Sequence, residues 1–173
     1  PVDDLSDLYT LSYAVYDLDE YLSALSGAAE DFSPSLSEAL DFMLRNQLYN
    51  FSVNPKKMTG SFTTYLSQYQ SPFIFTQWTN SATSVDTVIH EFGHFANYYH
   101  NPNSGWSQGD SLDLAEVDSQ ALQLLMTPYY PRLYGETYAK AAEFSLLLDC
   151  MYALITGCME DEFQQEVYQN PNM

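Results

Sequence analysis

The feature that most constrains this chain is a pair of histidines four residues apart, His90 and His94, with Glu91 directly after the first. The whole chain holds three histidines, so two of them fall at this one spacing. Residues four apart on an α-helix share a face, which lets two imidazoles approach one ion. Glu91 is rotated about a quarter turn away, where its carboxylate reaches a water on that ion without being a ligand. The spacing predicts a helix that carries part of a zinc site, with a general base beside it.

A third ligand has to come from another segment, because a catalytic zinc takes three protein ligands and leaves its fourth position to water. Glu116 is the candidate, on a predicted helix over 112–126 that folds back against the first. Asp118 is its rival, although helical geometry points it about 200° away from Glu116. Asp113, one turn before Glu116, is a candidate to accept a hydrogen bond from a ligand imidazole. His100 lies outside the motif, and we expect it at the surface and not on the metal.

Composition and periodicity predict a mainly α-helical protein with a small β-sheet. Hydrophobic residues make up 46% of the chain, which is enough for a folded core. Apolar residues at spacings of three and four predict helices over 1–57 and over 83–173. Aromatic and β-branched residues over 60–78 predict two strands joined by a polar loop. No internal repeat divides the chain, so we expect residues 1–173 to form one domain.

Helix boundaries are predicted from apolar stripes, capping residues and prolines. Leucines and a valine from Leu5 to Leu22 predict one apolar helical face, and Ser33-Pro34 is expected to open the next helix. Toward the end of the chain, we expect a long helix over 133–155 and then a separate short one. These predicted boundaries indicate which helices can pack against the helix that carries His90 and His94.

Two cysteines, Cys150 and Cys158, fall about two turns apart in one predicted helical stretch, too far for a mutual disulfide. We expect both to be small buried hydrophobes. The best apolar run, 146–157, is short and contains Asp149, so no membrane span is predicted. The chain opens at Pro1 with no visible export signal. A cytoplasmic location is expected, and an extracytoplasmic one stays open because the true N-terminus is not seen.

The net charge of the chain is −18, from five Lys and Arg against 23 Asp and Glu. Nucleic acid is excluded as a partner, because phosphate binding needs clustered cations. Two interpretations of the acidity remain: a charged surface that favours solubility, or an acidic cleft that attracts cationic peptides.

Several segments resemble, in order, the oligoendopeptidase F and thimet oligopeptidase family of zinc peptidases. Gly93 fits the preference of that family for glycine before the second histidine. The similarity extends from about residue 28 to residue 173. The matching segments are Gly60–Phe62, Ser71–Phe75, Asp86–His94, Asp113–Gln120 and Asp161–Pro171.

This resemblance implies a zincin-like catalytic core that cleaves short peptides as a zinc-dependent endopeptidase. It implies one Zn²⁺ per chain, with His90, His94 and Glu116 as metal ligands and Glu91 as the catalytic base. The strand over Phe73–Gln77 would pair with the backbone of the peptide substrate, which is a sequence-tolerant way to hold it. Nothing in the sequence predicts the oligomeric state.

The sequence departs from the family pattern in two places. Gln123, seven residues after Glu116, stands where family members commonly carry Glu. The His- and Tyr-rich segment that steadies the substrate oxyanion in the family has no counterpart in these 173 residues. We therefore expect a catalytic core that is incomplete at the C-terminus and is weakly active or inactive alone. The alternatives are a metal-bearing fragment that binds peptides without turnover, and an unrelated zinc peptidase such as an aminopeptidase.

Overall fold

A computed structural model describes residues 6–102 and 114–170. Within these ranges the protein is mainly helical and has one small three-stranded sheet, as the sequence predicted. A short 3₁₀ turn, Thr127–Tyr129, separates two of the helices. The helices are α1 (Ser6–Leu11), α2 (Leu18–Phe32), α3 (Pro34–Arg45), α4 (Ala82–His100), α5 (Val117–Leu125), α6 (Tyr130–Tyr134) and α7 (Ala139–Gln169), and the strands are β1 (Tyr49–Asn50), β2 (Phe62–Leu66) and β3 (Ser71–Phe75).

Side-chain caps set the boundaries of the first helices. The Asp17 carboxylate accepts hydrogen bonds from the first backbone N–H groups of α2, and the Ser33 hydroxyl accepts one at the start of α3. The prediction that Ser33-Pro34 opens a helix is confirmed. The prediction of one apolar helical face from Leu5 to Leu22 is wrong. The chain leaves the helical conformation between α1 and α2, and Val15 in this break is exposed. The periodic leucines continue through this break, so periodicity alone does not detect it.

β3 is the central strand of the sheet, whose order is β1-β3-β2. β1 pairs with it in parallel, and β2 pairs with it in antiparallel register, with Thr63 opposite Ile74. The two predicted strands are confirmed. The idea that the strand over Phe73–Gln77 offers its edge to a substrate is wrong, since both sides of β3 are already paired. The strand that takes the second side, β1, lies in a segment that was expected to be helical.

The motif helix α4 lies at the centre of the hydrophobic core. It packs against α3, α5, β2 and β3. The Ser81 hydroxyl accepts a hydrogen bond from the Ser84 backbone N–H and so caps the first turn. The apolar side chains that α4 buries completely are Val85, Val88, Ile89, Phe92 and Phe95.

The last helix, α7, is one continuous helix of 31 residues. The prediction of a separate short helix near the end of the chain is wrong. Gly157 lowers helix stability by only about 1 kcal/mol relative to Ala, so it does not end α7. The buried residues of α7 all lie between Ala139 and Leu146. Cys150 is half-buried and Cys158 is exposed, so the prediction that both are buried is wrong for Cys158.

α7 also overturns the prediction that no apolar segment is long enough to span a membrane. Among the described residues, it is the one helix long enough and apolar enough to cross a membrane by length and composition. Asp149 lies within this helix, but its single charge does not offset the apolar residues around it. The core helix of a soluble protein can be equally long and apolar.

Candidate metal centre

The motif residues project from the middle of α4, where the helix is packed on several sides. His90 and His94 lie one turn apart, with ring centroids separated by 5.1 Å and ring planes at 86°. Glu91 is buried, with 5% of its surface exposed. The packed core therefore fixes the backbone from which these three side chains extend.

A glycine lets α5 approach α4 closely enough to complete the cluster. A Cβ atom on Gly93 would lie 2.6 Å from the Cα of Ser119 and 2.9 Å from the backbone oxygen of Asp118. Real Cβ atoms do not approach backbone this closely, so a larger residue would push the two helices apart. The preference for glycine at this position thus has a steric cause, which is the contact of the α4 backbone with the first turn of α5.

Glu116 lies at the N-terminal end of α5, facing the two histidines. Its Oε2 is 3.1 Å from His90 Nε2 and 3.5 Å from His94 Nε2. One ligand atom from each of the three side chains lies within 4.8 Å of the others, so the group could hold a metal ion. The Glu116 side chain is 55% exposed, which leaves one side of the cluster open to water and to a ligand.

The donor set and the spacing fit zinc. Two imidazole nitrogens and one carboxylate oxygen are a ligand set of catalytic zinc, which keeps its fourth position open. Atoms that lie about 2.0–2.2 Å from a tetrahedral ion are about 3.3–3.6 Å from one another. The two separations from Glu116, 3.1 and 3.5 Å, fall near this range.

The other candidates from the sequence take different places. Asp118 stays outside the cluster, and its Oδ1 lies 3.0 Å from Nδ1 of His94, the ring nitrogen that faces away from Glu116. Asp113 lies outside the described residues. His100 ends α4 at the surface, where its Nε2 is 2.9 Å from the hydroxyl oxygen of Ser35.

Two residues that contact or support His90 were not predicted from the sequence. Nδ1 of His90 is 3.0 Å from Oε1 of Gln123, and Nε2 of Gln123 donates a hydrogen bond of 2.8 Å to Oδ1 of Asp86. Asp86 lies four residues before His90, on the same face of α4. This helical spacing is the sequence signal that could have identified Asp86 as a neighbour of His90. Gln123 stands out in the sequence as a departure from the family, but its contact with His90 depends on how α5 packs against α4.

Electrostatics around Glu91 favour a group that exchanges protons. Burial raises the pKa of the Glu91 carboxyl above its ordinary value, against a hydrogen bond from Thr63 and the charges of the two histidines, which lower it. The Thr63 hydroxyl is 2.7 Å from Oε2 of Glu91. A carboxyl group whose pKa is shifted toward neutrality accepts and returns a proton more readily near neutral pH.

The contact between His94 and Asp118 has the electrostatics of an ion pair. Burial lowers the pKa of the His94 imidazole, but the hydrogen bond and charge of Asp118, with the charges of Glu116 and Glu91, outweigh this and raise it. Burial raises the pKa of the Asp118 carboxyl, but the hydrogen bond and charge of His94, with hydrogen bonds from Asn97 and the Ser119 backbone, together outweigh burial and lower it. Asp118 therefore stays charged and holds the His94 ring by its Nδ1.

Comparison with known proteins identifies relatives in both sequence and structure. No family model matches the chain. Over 113 residues, 64% of this chain, it is 27% identical to oligopeptidase PepF of Bacillus subtilis (strain 168), and the match covers 16% of that protein. An oligoendopeptidase F structure from Bacillus anthracis str. Ames superposes with a TM-score of 0.77 at 27% identity, over 91% of this chain and 29% of that chain.

PZ peptidase A, solved with an inhibitor, superposes equally well, with a TM-score of 0.77 at 27% identity over 90% of this chain and 28% of that chain. The chain thus spans less than a third of the length of the relatives that it matches. The sequence relative and the structural relatives are all peptidases by name, and a peptidase is also the kind of protein that the motif on α4 indicates. The chain is therefore similar in both sequence and structure to peptidases of the oligoendopeptidase F kind.

Proposed function

We propose that this chain carries the metal-binding core of a zinc-dependent endopeptidase that cleaves short peptides. The observation that carries the proposal is the convergence of His90, His94 and Glu116, with Glu91 buried beside them. The peptidase names of the relatives support the same reaction class. A motif helix packed between a third-ligand segment and a small sheet also supports a zincin-like core, and we propose that residues 1–173 form one domain of it.

The metal would be held by His90, His94 and Glu116. A zinc ion bound there would supply an acidified water, with a pKa of about 7, and would polarise a peptide carbonyl. Glu91 would be the general base that accepts a proton at the site and returns it to the leaving amine. The Thr63 hydroxyl holds Oε2 of Glu91, so that Oε1 is the oxygen left for the proton. Asp118 holds the His94 ring with its Nε2 toward the cluster.

The substrate would bind in extended form along β2. Within the described residues, β2 pairs with β3 on one side, and its other side carries no strand. Thr63 of β2 contacts Glu91 directly, so this strand runs beside the proposed base. A peptide that adds to the outer side of β2 would be held by backbone hydrogen bonds with little demand on its sequence.

The test replaces Glu91 with Gln and measures zinc content and peptide cleavage together. Glu91 is not a ligand in this proposal, so the variant should keep its zinc. Cleavage of internally quenched short peptides should fall by about 10²–10⁴-fold, the usual contribution of a general base. The measurement is made on this chain, which spans less than a third of the length of its relatives, and on any longer form of the protein.

Two results would contradict the proposal: loss of zinc from the Glu91→Gln variant, or cleavage that is unchanged by it. Stepwise trimming of single residues from a free N-terminus would point to an aminopeptidase. Tight peptide binding by the zinc-loaded chain, with no cleavage in any form, would favour the alternative of a binding fragment without turnover.

A further inference from the structure

The two histidines of the proposed metal site are held in different ways at their Nδ1 atoms. His94 contacts a carboxylate directly, that of Asp118, at 3.0 Å. His90 contacts the neutral amide of Gln123 at 3.0 Å, and that amide in turn donates to the Asp86 carboxylate at 2.8 Å. On the Nδ1 side, His90 is therefore one hydrogen bond further from a carboxylate than His94.

We propose that Gln123 and Asp86 act as positioning residues that fix the tautomer and ring orientation of His90, and we call the three residues the amide relay. The inference rests on the proposed function, because it concerns how His90 presents its Nε2 to a metal ion. Neither Gln123 nor Asp86 belongs to the ligand cluster. Both would act through the imidazole of His90.

The chemistry of the groups determines the direction of the relay. An ionised carboxylate only accepts hydrogen bonds, so Asp86 must face the NH₂ end of the Gln123 amide. The amide oxygen then faces Nδ1 of His90, which must carry a proton to donate to it. In that tautomer Nε2 has its lone pair free, and this is the atom that lies 3.1 Å from Glu116. A flipped amide would place two acceptors, its own oxygen and the Asp86 carboxylate oxygen, 2.8 Å apart.

The surroundings hold the amide in this orientation. Gln123 is only 6% exposed, so water does not compete freely for either end of its side chain. Asp86 and Gln123 come from α4 and α5, the same two helices that carry the cluster. The relay therefore links the positions of these helices to the orientation of one imidazole. This is the role that groups around metal-bound histidines commonly have.

The experiment exchanges the amide and the carboxylate. Gln123→Glu places a carboxylate against Asp86, and the like charges disrupt the relay. The double variant Asp86→Asn with Gln123→Glu restores one donor and one acceptor between the two residues, and again presents an oxygen to His90. We expect Gln123→Ala and Gln123→Glu each to weaken Zn²⁺ binding by about 10–100-fold, and the double variant to recover most of that loss. Gln120→Ala, which changes an exposed glutamine on the same helix, is the matched control and should bind as wild type.

A second readout measures the histidine tautomers by ¹⁵N NMR on metal-free protein in a Glu116→Ala background, which removes the carboxylate that faces Nε2 of His90; the three histidines give few signals. In this background we expect His90 to carry its proton on Nδ1 with the native relay and with the double variant, and to shift toward the Nε2-protonated form with Gln123→Ala. Unchanged tautomer and unchanged Zn²⁺ affinity in Gln123→Ala would overturn the relay. If Gln123→Ala does not fold, the recovery from Gln123→Glu to the double variant decides, and no recovery overturns it. A wild-type chain that binds no Zn²⁺ would instead contradict the proposed function, while the tautomer would still test the relay.

Discussion

α4 and α7 are the two longest helices of the described chain, with 19 and 31 residues, and they differ in what covers them. Buried residues of α4 occur from Ser84 to Tyr98, along most of its length. Those of α7 stop at Leu146, and the rest of that helix is largely exposed. Both helices are rich in apolar residues. The comparison shows that apolar content does not determine burial, which depends on the elements packed around a helix.

The difference matters for the proposed site. A metal ligand has to be held at a fixed position, and α4 is held by a sheet on one side and by helices on others. Beyond Leu146, α7 carries large apolar side chains with few neighbours, so it contributes little to the stability of the described fold. The exposed large apolar residues of α7 are Leu147, Leu148, Met151, Tyr152, Leu154, Ile155, Met159, Phe163, Val167 and Tyr168.

The largest effect is expected from shortening the same side chain on both helices. Ile89 on α4 is 0% exposed, and Ile155 on α7 is 56% exposed. Ile89→Ala should lower the free energy of unfolding by about 2–5 kcal/mol, because it removes buried methyl groups and leaves a cavity. Ile155→Ala should change it by about 0.5 kcal/mol or less. Urea denaturation of both variants measures the difference, and equal losses would mean that α7 is as well packed as α4.

A smaller effect, but one of opposite sign on the two helices, is expected for Gly→Ala. Gly93→Ala drives a Cβ atom into the backbone of Ser119, and we expect a loss of about 1–3 kcal/mol in the free energy of unfolding. A Cβ atom on Gly157 would meet no atom of a neighbouring element within 4 Å, so Gly157→Ala should gain up to about 1 kcal/mol from helix propensity. The same denaturation assay measures both. A stabilised Gly93→Ala variant would contradict the close contact between α4 and α5.

Local signals in the sequence predicted the motif helix, the two strands and the start of α3. Each depends on residues that lie close together in the chain, such as the spacing of His90 and His94 or the Ser33-Pro34 pair. The contacts that the sequence did not predict join distant segments. The bond between Asp86 and Gln123, and the pairing of β1 with β3, depend on how elements pack.

Asp118 shows why one geometric argument failed. Helical projection placed it about 200° from Glu116, and this assumed that both residues belong to one helix. In the structure α5 begins at Val117, and Glu116 precedes it with a backbone φ of −98° and ψ of 0°. The projection does not apply across this boundary. Both residues can therefore face α4, Glu116 toward the Nε2 atoms and Asp118 toward Nδ1 of His94.

The central claim is that His90, His94 and Glu116 form one zinc site, and metal titration of the folded chain tests it most directly. Near neutral pH, we expect one Zn²⁺ per chain by elemental analysis after dialysis. Glu116→Gln, which removes the charged ligand, should lose most of this binding while its circular dichroism stays that of wild type. A folded wild-type chain that takes up no zinc, or a Glu116→Gln variant that binds it as tightly, would contradict the account.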